Sequence, residues 1–93
     1  MIIMTKLNGE IHYATIEYVG TCRPHLGGMM FNHETIPDNH TAITSRIESV
    51  TEVDNGFIVQ TEHSSYFVPF IHTCEHTIAD LRDMCRVGME DDD

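Results

Sequence analysis

The chain of 93 residues has no tryptophan, only three prolines and three cysteines, and five lysines or arginines against fifteen aspartates and glutamates. The scarcities of cations and of cysteines each remove a class of protein. The cation deficit, a formal net charge of −10, argues against unaided binding to nucleic acid or to an anionic membrane. Both need a positive surface to displace counterions. Three cysteines, Cys22, Cys74 and Cys85, are an odd number and do not make a secreted disulfide framework. No stretch approaches the ~20 apolar residues of a membrane helix. The opening Met1-Ile2-Ile3-Met4-Thr5-Lys6 has neither the cationic lead nor the apolar run of a secretory signal. A cytoplasmic protein is expected.

What is present organises into one domain over residues 1–88, followed by an acidic tail at 89–93, because the length leaves room for a single small core. Asn8-Gly9 tolerates the positive φ of a two-residue hairpin turn and predicts strands at 2–7 and 10–19. Residues 20–39 lose the pattern under Gly20, Pro24, Gly27-Gly28, Pro37 and Asp38-Asn39. They read as a long connection, with a short helical turn at 26–31 or a functional loop. Strands are expected again at 46–53 and 57–62 around Asp54-Asn55-Gly56, and at 65–68, where Pro69 ends the ladder. Ile78, Leu81, Met84 and Cys85 recur on one helical stripe with Asp80, Arg82 and Asp83 outward, and Thr73 or Thr77 supplies the N-cap. The expected fold is α+β and mainly β: a small antiparallel meander or partial barrel of about five strands, with one C-terminal helix.

The string Thr44-Ser45-Arg46-Ile47-Glu48-Ser49-Val50, then Ile58-Val59-Gln60-Thr61-Glu62-His63-Ser64-Ser65-Tyr66-Phe67-Val68, resembles a pattern in small phage- and prophage-encoded accessory proteins. There it runs T-S-x-(I/V)-x-S-V, a short hairpin, and (I/V)-x-T-x-N-S-x-Y-x-(L/V). His63 departs from the usual asparagine. Physically it describes a three-strand meander, with Ile47 and Val50 as apolar cover, a tight turn at Thr61 and Ser64, and Tyr66 packing back. The resemblance implies origin more than chemistry, and with it a host-directed inhibitor of restriction, CRISPR or transcription enzymes.

Four constellations bear on function. Glu48, Glu52, Asp54 and Glu62 surround the central hairpin and could occupy a cationic nucleic-acid groove on a host protein, by charge steering and exclusion. The bland alternative is a solvated face that keeps the domain soluble. Cys22-x2-His25 and His72-x3-His76 have the spacing of chelating zinc segments, and would make a small zinc-stabilised domain. His72 and His76 would share a helix face only if the helix begins by Ile71. Cys74 beside His72, Glu75 and His76 supplies the residue types of a nucleophilic enzyme without evidence of their convergence. Leu26, Met29, Met30 and Phe31 form an apolar island that would serve either as core or as the contact patch of a homodimer or obligate subunit. The sequence therefore favours a non-enzymatic acidic binding protein with no cofactor, no direct nucleic-acid contact and a cationic protein partner.

Overall fold

The computed structural model describes residues 7–18 and 23–87. Among these residues, five strands, β1 (Gly9–Tyr18), β2 (Pro24–Phe31), β3 (His40–Val53), β4 (Gly56–Thr61) and β5 (Ser65–Pro69), form one sheet. A 3-10 turn over Phe70–His72 and a helix, α1 (Glu75–Val87), follow. The chain is mainly β with one C-terminal helix, as its patterning predicts. Consecutive strands are antiparallel neighbours, and the sheet closes on itself. In a meander of five strands the direction alternates, so the first and last run the same way and the closing seam must be parallel. That seam is short, pairing Gly9 with Tyr66 and Glu10 with Phe67. Asn8 ties it, its N–H donating to the Ser65 carbonyl at 2.7 Å while its Oδ1 accepts from the Ser65 N–H at 2.9 Å.

Closing so few strands requires sharp bends, which β-bulges supply. Ile11 and Ala14 both face the core, three residues apart, which strict alternation forbids. A register shift between His12 and Thr15 resolves the conflict, with Tyr13 at φ +55°. Gly28 lies across this corner at φ +153°, and a Cβ there would sit 2.5 Å from Ile11 Cγ2 and 2.8 Å from the His12 carbonyl oxygen. A second shift, between His25 and Gly27, is accompanied by the buried Thr44 hydroxyl accepting the Leu26 N–H at 3.1 Å. A third lies between Ile47 and Ser49, where the long β3 passes from its pairing with β2 to its pairing with β4.

The core is the barrel interior, capped at one mouth by α1. Phe57, Ile11, Leu26, Met30, Val59, Val68 and Leu81 are its largest fully enclosed side chains, and Phe70 meets Phe57 edge-on at 5.3 Å between ring centres. Phe57, Val59 and Thr61 point inward while Gln60 is exposed, as alternation demands. On α1, Leu81 enters the core and Ile78, Met84 and Cys85 pack against it. The meander of residues 44–68 takes the expected form: Ile47, Val50 and Tyr66 are buried, and the Thr61 N–H and hydroxyl both donate to the Ser64 carbonyl at 2.7 and 2.9 Å.

Several local expectations are corrected. Residues 26–31 are part of strand β2, neither loop nor helical turn, because Leu26 and Met30 are needed inside the barrel. That burial also removes them from any surface patch for a homodimer. Asn8 and Gly9 lack the positive φ of a primed hairpin, and Gly9 instead opens β1. The strand expected at 2–7 lies outside the described residues except for Leu7, as do the tail at 89–93 and Cys22. The helix starts at Glu75, so Cys74, not Thr73 or Thr77, occupies the N-cap position. Thr73 instead donates its hydroxyl to the Pro69 carbonyl at 2.6 Å, closing the 3-10 turn.

Candidate interaction surfaces

The four hairpin carboxylates divide between two faces. Glu48 and Glu62 stand beside Arg46, whose Nη2 lies 3.2 Å from Glu48 Oε2 and 3.9 Å from Glu62 Oε2. Here two carboxylates share one guanidinium. Glu52 pairs directly across from Phe57, and cross-strand partners point to the same side. Its carboxylate therefore lies on the core side of the hairpin, where α1 meets it. Arg82 donates to it through Nε at 3.0 Å and Nη2 at 2.9 Å. These hydrogen bonds hold the Glu52 carboxyl below the usual carboxylate range and raise the Arg82 guanidinium further. Asp54 is exposed in the turn between β3 and β4. The structure thus brings Glu48 and Glu62 together, sets Asp54 at the tip, and makes Glu52 a latch between hairpin and helix.

The expected zinc ligands are distributed over different elements. His25 on β2 has its Nδ1 2.9 Å from the Thr44 carbonyl oxygen. His72 ends the 3-10 turn, stacked on His12 at 4.5 Å. His76, in the first turn of α1, approaches Asp80 Oδ2 at 3.7 Å. Because the helix begins at Glu75, His72 and His76 do not share a helical face. Among the described residues, no cluster of three or more His, Cys, Asp or Glu is arranged to hold a metal ion.

Cys74 caps α1 with its sulfur 3.5 Å from the Thr77 hydroxyl. Hydrogen bonds from Thr77, side chain first and then backbone, lower the pKa of this exposed thiol. Burial raises that of Cys85. Cys74 is a capping group, and its sulfur faces Thr77 rather than a histidine.

Two features were not legible in the sequence. Phe31, His12 and His72 form a column of stacked rings, with centres 4.2 and 4.5 Å apart, and Glu10 Oε1 lies 3.0 Å from His12 Nε2. This column pins the 3-10 turn to β1. The second is a groove of about 440 Å³ between β1 and α1, lined by Ile16, Tyr18, His76, Asp80, Asp83 and Met84. The i, i+3, i+4 spacing of Asp80, Asp83 and Met84 marks one side of a helix. Nothing in the sequence says that this side would face β1.

No protein-family model, curated protein or solved structure matches this chain. Among the described residues, no helix is long and apolar enough to cross a membrane.

Proposed function

We propose that the protein is a non-enzymatic acidic binding domain of phage type, which works in the host cytoplasm by occupying the cationic groove of a nucleic-acid-handling enzyme. Restriction, CRISPR and transcription enzymes are the target class implied by the sequence resemblance, and competition with nucleic acid is the mode of inhibition. The observation that carries the reading is the charge excess held on a closed barrel: Glu48 and Glu62 share the single guanidinium of Arg46, with exposed Asp54 at the end of the same hairpin. Glu48 stands on β3, and Asp54 and Glu62 flank the two ends of β4, so the closed barrel holds their spacing and they meet a cationic groove with little ordering cost. Their long-range attraction speeds encounter more than it adds affinity.

The test is recovery of a partner from host lysate by wild type and by the triple reversal Glu48→Lys, Asp54→Lys, Glu62→Lys, with the melting curve of each recorded. The reversal should keep its fold, since exposed substitutions cost little, and lose the nucleic-acid-handling enzyme that wild type recovers. Equal recovery by both forms would remove the hairpin from the mechanism. Glu52→Lys is assayed separately, because its contact with Arg82 couples binding to the position of α1.

A further inference from the structure

We infer that the outer face of β1 and β2, together with the 3-10 turn, is the contact surface of a weak two-fold dimer of this chain. The inference goes beyond the proposed inhibitor role and uses none of the hairpin carboxylates. Ile11 and Met30 pair across the two strands and point into the barrel. Alternation therefore turns their neighbours outward, Glu10 opposite Phe31 and His12 opposite Met29. His12 stacks between Phe31 and His72, and the Tyr13 ring centre stands 6.0 Å from that of His72. Tyr13 is 61% exposed, and Ile71, in the same turn as His72, is 83% exposed.

Two observations mark this face as a contact surface. Tyr13 holds φ +55°, a costly conformation for a bulky side chain. A bulge needs that angle, but glycine or asparagine supplies it at less cost, so closure of the barrel does not account for a tyrosine there. The second observation is charge. In a chain of net charge −10, the Glu10 carboxylate on this face is already engaged. His12 Nε2 lies 3.0 Å from one oxygen, and Asn32 Nδ2 donates to the other at 3.2 Å. Aromatic and methionine side chains with little free charge are the composition of an interface core.

Charge also decides the occupant. A cationic partner is drawn to the carboxylates of the hairpin and finds little to attract it here. Two copies of an acidic chain repel each other where carboxylates face carboxylates, and they meet at least cost across an uncharged face. A two-fold axis lays that face against itself and closes the assembly at two. The patch is small. Side chains of this size and exposure present roughly 400 Å², below the ~800 Å² per partner of a stable interface. The dimer is therefore weak, with a Kd of about 10–1000 µM.

The test is sedimentation velocity on the full-length protein from about 10 µM to about 1 mM, where mass action sets the dimer fraction. Dimers and no larger species should appear at the upper end. Added salt should strengthen them by screening the repulsion between acidic copies, the opposite sign from capture of a cationic partner. Tyr13→Asn, which tolerates positive φ, and Ile71→Gln should each weaken the dimer about tenfold, because the axis removes each side chain twice. Their melting curves should stay close to wild type's, as exposed substitutions cost little. Amide NMR shifts of the wild type on concentration should fall at residues 10–13, 29–31 and 71–72, and this mapping decides even if a substitution lowers the melting temperature. A chain that stays monomeric at the highest concentration in high salt overturns the inference, as does association that runs past the dimer. So does a dimer that salt dissolves, one that both substitutions leave unchanged, or concentration-dependent shifts that lie elsewhere.

Discussion

Replacing Gly56 with alanine would place a methyl group against the Val68 carbonyl oxygen and within 2.9–3.0 Å of the Phe67 ring. The ring edge can turn aside, but the carbonyl cannot. Val68 is held opposite Phe57 in the β4–β5 ladder, with Gly56 opposite Pro69, so relief requires the two strands to separate at the barrel rim. Overpacking of this kind costs ~1–3 kcal/mol, while the lost flexibility of glycine in the unfolded chain returns up to ~1 kcal/mol. The expected net loss is ~1–2 kcal/mol, or a fall in Tm of about 5–15 °C for a domain this size. Gly27→Ala is the internal control, since a Cβ there meets only side-chain atoms of Glu17 and Thr15, at 3.1 Å and beyond, which can move. Thermal melts of both variants, followed by circular dichroism, decide the matter. A Gly56→Ala protein as stable as wild type would refute the close approach of β4 and β5. Equal losses at Gly27 and Gly56 would show that the effect is generic to strand glycines.

Leu81→Ala should cost ~2–4 kcal/mol in denaturant titration, because Leu81 is fully enclosed where α1 closes the barrel; a cost below 1 kcal/mol would mean that the helix does not cap the core. Cys74 should react with iodoacetamide before Cys85 at pH 7.5, since hydrogen bonds from Thr77 lower the one thiol and burial raises the other. Peptide mapping that found Cys85 modified first would contradict this. The lowered Cys74 pKa also fixes the sign of its linkage. Its contribution to stability is complete above the ordinary thiol range and fades as pH falls through the lowered value, so Thr77→Val should slow alkylation most just below that range. Capture of the partner should weaken steadily as salt is raised, because the attraction is between exposed charges; recovery unchanged between low and high salt would point to an apolar interface.

The fold was legible where burial follows the backbone period. Phe57, Val59 and Thr61 alternate with exposed or half-buried neighbours, and Leu81 with its flanking apolar residues repeats at helical spacing, so the hairpin and helix could be read directly. β2 could not. Its inward residues, Leu26 and Met30, are separated by Gly27 and Gly28, which read as punctuation. Gly28 is required because the bulged corner of β1 approaches too closely for a side chain there. Ile11 and Ala14 defeat alternation for the same reason. Asn8-Gly9 carries the composition of a turn, yet Asn8 uses its amide to stitch the parallel seam to Ser65, a contact 57 residues distant in sequence. Of the interaction residues, Glu48 and Glu62 could be placed about the central hairpin, but their meeting at Arg46 could not, because a register shift lies between Ile47 and Ser49. The turning of Glu52 toward Arg82 depends on where α1 docks, as does the whole β1–α1 groove, and the local pattern carries no information about either.

The central claim is that this protein and nucleic acid occupy the same groove of one partner. It is tested most directly by titrating the captured enzyme, bound to a fluorescent duplex of its own substrate, with the wild-type protein at fixed salt. The account predicts mutually exclusive binding: the duplex is displaced in proportion to the protein added, and the triple reversal at Glu48, Asp54 and Glu62 fails to displace it. A stable ternary complex, with enzyme, duplex and protein bound together at saturating concentrations, would contradict it.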